Sequence, residues 1–122
     1  MATKRILIID DNPDEVATLA TLLSDSGHRV EYATNALYAF DLARNFNPQY
    51  VLLDIGMPYM DGYEAAAKLK RRFHEAHIFA ITGRCGPLER QRSLAAGFEE
   101  HLEKPVDVAT IERLIAAYGD AS

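Results

Sequence analysis

Four short apolar runs stop at polar residues with useful chemistry. Ile6-Leu7-Ile8-Ile9 is followed by Asp10-Asp11, and Val51-Leu52-Leu53 by Asp54. Ile78-Phe79-Ala80-Ile81 is followed by Thr82, and the weaker His101-Leu102 stretch runs into Lys104-Pro105. In an open parallel sheet the carboxyl ends of the strands share one edge, where ligands bind. Read as parallel strands, these runs bring three carboxylates, a hydroxyl and an ammonium group into one pocket. Clustered carboxylates either take up a proton or hold a cation. An all-oxygen donor set favours a hard ion such as Mg2+, which binds one or two carboxylates together with water and phosphate oxygens. With such a cation and Lys104 the pocket attracts a phosphoryl group, and an aspartate can act as the nucleophile that becomes an acyl phosphate. Thr82 would then donate a hydrogen bond to a phosphate oxygen.

Each residue taken alone has a simpler role. Asp10-Asp11 before a helix start suits capping and dipole chemistry. Asp54 suits a loop entry, Thr82 a cap and Lys104 a solvated charge. Their joint placement at the ends of four different runs argues for one site.

The elements that must position these residues follow from periodicity. Short apolar runs alternate with segments of helical period, the pattern of a parallel sheet built from βα units. A first helix begins at Asn12-Pro13, with Asn as N-cap, Pro at the first helical position and Glu15 as capping-box partner. Val16, Leu19, Leu22 and Leu23 form its expected buried stripe, and Gly27 ends it. Arg29 to Ala33 reads as an edge strand, and Ala36 to Phe46 as a helix stopped by Pro48. A strand over Tyr50 to Leu53 leads to a loop over residues 55–60. The next helix starts at Asp61, with Glu64 as its capping-box pair, and has its body over Tyr63 to Phe73. A strand over His77 to Ile81 precedes a mobile loop, Gly83 to Pro87, rich in glycine. A helix over Pro87 to Ala96 closes at Gly97, a charged edge strand spans Glu100 to Glu103, and a last helix, Val108 to Tyr118, ends at Gly119.

Composition bounds the function. The 122 residues suit one domain, 1–122, and 48% apolar with 25% charged residues is an ordinary globular balance. A chain of this length buries roughly 65–70% of its unfolded surface, enough for a core without staples. The net charge of −5 argues against broad nucleic-acid binding. One cysteine excludes an internal disulfide and fits a reducing compartment. Ile6 to Ile9 is too short for a signal-peptide core or a membrane span, so the expected location is the cytoplasm, with no membrane partner.

Together these residues resemble the receiver domain of bacterial two-component response regulators along essentially the whole chain. The matching pieces are Ile8-Ile9-Asp10-Asp11-Asn12-Pro13, Leu53-Asp54-Ile55-Gly56-Met57-Pro58 with Met60-Asp61-Gly62, Ile81-Thr82-Gly83, and Glu103-Lys104-Pro105. The resemblance implies a doubly wound α/β fold, flavodoxin-like, with five parallel strands in the order 2-1-3-4-5. It implies that Asp54 accepts a phosphoryl group from a phosphohistidine on a sensor histidine kinase or histidine phosphotransfer protein. It implies Mg2+ held by Asp11, Asp54 and the Gly56 backbone carbonyl, with Asp10 acting through water. Thr82 and Lys104 would contact the phosphoryl oxygens, and the peptide before Pro105 would be cis. The first helix would receive the phosphodonor, and the face of the fourth helix, fifth strand and last helix would bind a downstream partner. Such a domain is a signalling module that assists its own phosphorylation and dephosphorylation rather than a conventional enzyme. The segment Glu100 to Asp107 looks most like receivers of hybrid sensor kinases or stand-alone receivers, so a single-domain regulator and part of a longer protein are both open.

Three positions depart from the family pattern. His101 stands three residues before Lys104, where Tyr or Phe is common and swings inward on activation. Its simpler reading is a solvent-facing histidine on an edge strand. In a switch role its imidazole, able to charge near neutral pH, would make activation pH-dependent. Gly56 and Arg84 flank the expected acyl phosphate, and Arg84 is expected to influence phosphate lifetime. Cys85 reads as a loop thiol without a base partner, and His74 with His77 lacks a third metal ligand. Two rival classes share the pocket. A Mg2+-dependent phosphohydrolase would need a further general acid and a substrate cap, neither of which is recognisable. An interaction module without phosphate chemistry would not need Asp11, Asp54, Thr82 and Lys104 together.

Overall fold

The computed structural model describes residues 3–57, 61–83 and 86–118. Its elements run β1 (Arg5–Ile9), α1 (Pro13–Asp25), β2 (Arg29–Ala33), α2 (Ala36–Phe46), β3 (Tyr50–Asp54), α3 (Gly62–Arg72), β4 (His77–Thr82), α4 (Pro87–Ala95), β5 (Glu100–Glu103) and α5 (Val108–Tyr118). All strands pair in parallel, in the order β2-β1-β3-β4-β5. This is the doubly wound, flavodoxin-like α/β arrangement. β2 and β5 are the edges, which explains why their sequences carry charge while β1, β3 and β4 are near-continuous apolar runs.

Side-chain alternation along each strand feeds two cores. Leu7, Ile9, Val51, Leu53, Ile78 and Ala80 pack on one face against Ala39 and Ala43 of α2 and Ala65, Ala66 and Leu69 of α3. Ile6, Ile8, Leu52, Phe79 and Ile81 pack on the other against Val16, Ala20 and Leu23 of α1 and Ile111 and Ile115 of α5. The alanines let α2 and α3 lie close to the sheet.

The inward stripe of α1 differs from the one expected. It runs Val16, Ala20, Leu23, an i, i+4, i+7 series, and Leu22 is 47% exposed. Leu19 packs half-buried against this core as expected, and with Leu22 it also flanks a groove beside Pro105 and Val106. The first capping box is also absent. Asn12 does cap α1, its Oδ1 accepting from the N–H groups of Asp14 and Glu15. The Asn12 N–H, however, donates to Asp10 Oδ1 at 3.0 Å, so Glu15 has no partner to reach back to there. Gly27 follows α1 at φ +100° and Gly97 follows α4 at φ +105°, left-handed positions that a Cβ would strain. At the second cap, Asp61 Oδ1 accepts from the N–H groups of Tyr63 and Glu64, while the Glu64 carboxylate lies 3.6 Å from Lys68.

β3 and β4 each extend one residue beyond their apolar runs, through Asp54 and Thr82. Asp54 is in register with Ile81, and Thr82 with Glu103. The chemistry-bearing residues are thus held by strand backbone rather than by the loops that follow.

Candidate functional site

Asp10 continues β1 by donating its N–H to the Ala33 carbonyl at 3.1 Å. The Lys104 N–H donates to the Thr82 carbonyl at 2.8 Å, which seats the lysine beside the end of β4. The Lys104–Pro105 peptide bond is cis. Asp10, Asp54 and Thr82 are buried, with relative exposures of 4%, 5% and 8%, whereas Asp11 is exposed at the pocket rim. The strand ends therefore bring Asp10, Asp11, Asp54, Thr82 and Lys104 to one edge of the sheet.

Lys104 is the electrostatic centre of the pocket. Its Nζ lies 3.1 Å from Asp10 Oδ2, 3.2 Å from Asp54 Oδ2 and 3.4 Å from Glu15 Oε2. Burial opposes its charge, but hydrogen bonds to Asp10 and Asp54, with their negative charges, outweigh burial and push the Lys104 pKa well above its ordinary value. For Asp54 the balance goes the other way. Burial raises its carboxyl pKa above the ordinary aspartate range, although the Gly56 N–H and Lys104 both favour the ionised form. Asp54 Oδ1 accepts from the Gly56 N–H at 2.8 Å, and a Cβ at position 56 would stand 3.3 Å from that oxygen. Glycine there lets the loop turn tightly over the carboxylate.

The donors fit a hard divalent cation. Asp10, Asp11 and Asp54 each offer a carboxylate oxygen, and these oxygens lie within 4.8 Å of one another. The set contains neither nitrogen nor sulfur, which suits Mg2+ or a similar ion. Among the described residues no other group of acids, histidines or cysteines converges in this way, and His74 with His77 forms no such cluster. His77 Nδ1 instead pairs with Glu99 Oε1 at 2.7 Å.

His101 is not solvent-facing. It is 5% exposed, and its Nδ1 lies 3.1 Å from Ser93 Oγ of α4. Its Nε2 is buried without a hydrogen-bond partner. The charges of β5 mark a sheet edge, and it is one, but α4 covers the face that carries His101. Arg84 and Cys85 lie outside the described residues. Two residues of consequence escaped the sequence reading. Glu15 fits a capping box by its spacing, yet its carboxylate turns to Lys104. Ser93 is fully buried between exposed neighbours on a polar helix, where hydropathy carries no signal.

A carboxylate-rich pocket with a lysine, at the carboxyl edge of a 2-1-3-4-5 sheet, defines a doubly wound α/β domain built around one acidic site. The chain belongs to the response regulator receiver domain family, whose model matches residues 6–116. It is 34% identical over 115 residues to the protein PilH of Pseudomonas aeruginosa, covering 93% of this chain and 95% of that protein. It is 36% identical over 112 residues to the response regulator MprA of Mycobacterium sp. strain KMS, covering 92% of this chain but 47% of MprA, so it spans about half the length of that relative. Among solved structures, a Burkholderia pseudomallei response regulator with a phosphorylated aspartic acid, a calcium ion and citrate superposes with a TM-score of 0.85 at 29% identity, over 93% of this chain and 65% of that one. Family membership makes the chain a signalling domain of the two-component type. No helix among the described residues is long and apolar enough to cross a membrane.

Proposed function

We propose that residues 1–122 form one receiver domain in which Asp54 accepts a phosphoryl group from a phosphohistidine of a sensor kinase or phosphotransfer protein. The observation that carries this reading is a buried Asp54 whose Oδ2 faces Lys104 while two further carboxylates lie within cation-sharing distance. The phosphorylated aspartic acid and calcium ion of the Burkholderia pseudomallei relative support it. In the transfer a carboxylate oxygen of Asp54 bonds to phosphorus as the phosphorus–nitrogen bond of the donor breaks. Lys104 and Thr82 stabilise the transferred oxygens, and the Gly56 N–H orients the Asp54 carboxylate. Asp11, Asp54 and the Gly56 carbonyl would hold Mg2+, with Asp10 through water; bound there, the ion offsets the negative charge of donor and acceptor.

The groove of about 320 Å³ between α1 and Pro105–Val106, open beside Asp10 and Lys104, suits docking of the phosphodonor. Phosphorylation then shifts the population of conformers at the α4–β5–α5 face, which binds a cytoplasmic partner. Intact mass after treatment with acetyl phosphate and Mg2+ tests the chemistry. Wild type should gain one phosphoryl adduct and Asp54→Ala none. An adduct that persists in Asp54→Ala sinks the assignment.

A further inference from the structure

Glu15 stands outside the trio of acids that can share a cation, yet it touches the lysine that two of them hold. Two of Lys104's three carboxylate partners, Asp10 and Asp54, belong to that trio. An ammonium group and a divalent cation drawn to the same carboxylates compete for their charge and repel each other. A cation entering the trio therefore weakens the hold of Asp10 and Asp54 on Lys104. Glu15 is then the partner that remains. It comes from a different element, the first turn of α1, and its carboxylate is half exposed at the pocket mouth. Its backbone is fixed because its N–H donates to Asn12 Oδ1 at 3.1 Å. Its carboxylate is free of capping duty because Asp10 Oδ1 already accepts the Asn12 N–H.

We propose that Glu15 is a positioning residue that keeps the Lys104 ammonium at the mouth of the pocket when a divalent cation displaces it from Asp10 and Asp54. This rests on the phosphoacceptor reading above. Glu15 acts through Lys104 and makes no contact with the transferred group. Its effect is that of one partly exposed ion pair, worth a factor of about 2 to 5.

Lysine acylation followed by mass spectrometry reads this without phosphate, with Lys4, Lys68 and Lys70 as internal references. Without Mg2+, wild type and Glu15→Gln should acylate Lys104 similarly, because Asp10 and Asp54 still hold it. With Mg2+, Lys104 should acylate about 2 to 5 times faster in Glu15→Gln than in wild type. Phosphorylation by sub-saturating phosphoramidate with Mg2+ should slow by a similar factor, and that slowing should vanish in a Lys104→Gln background. Equal Lys104 acylation with Mg2+ overturns the proposal. So does faster phosphorylation of Glu15→Gln, which would mean that Glu15 only repels the anionic donor. A wild type that takes no phosphoryl group overturns the phosphoacceptor reading instead, and the acylation comparison alone then decides the role of Glu15.

Discussion

Asp54 carries an internal conflict. The proposed transfer needs a naked carboxylate, and burial penalises one. Burial raises its pKa in the folded chain, so the folded state holds the Asp54 proton more tightly than the unfolded state does. The charged form therefore costs stability at neutral pH, and the cost fades as pH falls through the raised value toward the ordinary 3.8. Asp54→Asn should accordingly unfold at higher urea than wild type at pH 7 in a chelator, by about 1 kcal/mol, a usual size for one substitution. The gap should close as pH is lowered toward 4. A gap that widens on acidification would mean that Lys104 and the Gly56 N–H, not burial, set the balance.

At the level of elements, the site is only as well placed as the junctions behind it. One junction is α4 on β5, joined by Ser93 Oγ and His101 Nδ1 with a second ring nitrogen unpartnered. Ser93→Ala takes the partner from Nδ1, leaving that nitrogen as unpartnered as Nε2, and should cost about 1–3 kcal/mol in urea denaturation. His101→Phe removes the orphaned nitrogen along with the bond and should cost less than Ser93→Ala. The opposite ranking would show that the hydrogen bond adds little and that ring shape dominates. A second junction is the start of α3. Alanine in a helix is normally favoured over glycine by about 1 kcal/mol. At Gly62, however, a Cβ would lie 2.7 Å from the Ile55 Cα, an approach that backbone cannot relieve cheaply. Gly62→Ala should therefore destabilise by more than about 1 kcal/mol. Because Ile55 follows Asp54, the substitution should also slow phosphorylation at Asp54, as intact-mass time courses would read.

For the molecule as a whole, legibility followed burial on both faces of the sheet. β1, β3 and β4 are read from continuous apolar runs because both sides are covered, and their polar endings marked the pocket directly. β5 is legible as an edge strand, yet which way His101 faces is not. Four residues with charge on either side do not reveal that a polar helix covers His101. Glu15 was misassigned for a related reason, since local spacing fits a capping box while the deciding partners, Asp10 and Lys104, lie in other elements. The same pocket sets a global property. Asp10, Asp11, Glu15 and Asp54 gather at one edge of a chain of net charge −5, with Lys104 as the cation among them. A ligand that binds only the folded state stabilises it by RT ln(1 + [L]/Kd), about 1.4 kcal/mol at ten times Kd. Mg2+ should raise the thermal midpoint in a saturable way, and chelation should reverse it. NaCl at matched ionic strength should give a smaller, unsaturable change. Asp11→Asn removes an exposed member of the acid trio without touching the Lys104 contacts, so it should fold as well as wild type and lose the Mg2+ response. A response that survives in Asp11→Asn would mean that Mg2+ acts on the charge of the whole surface rather than at the pocket.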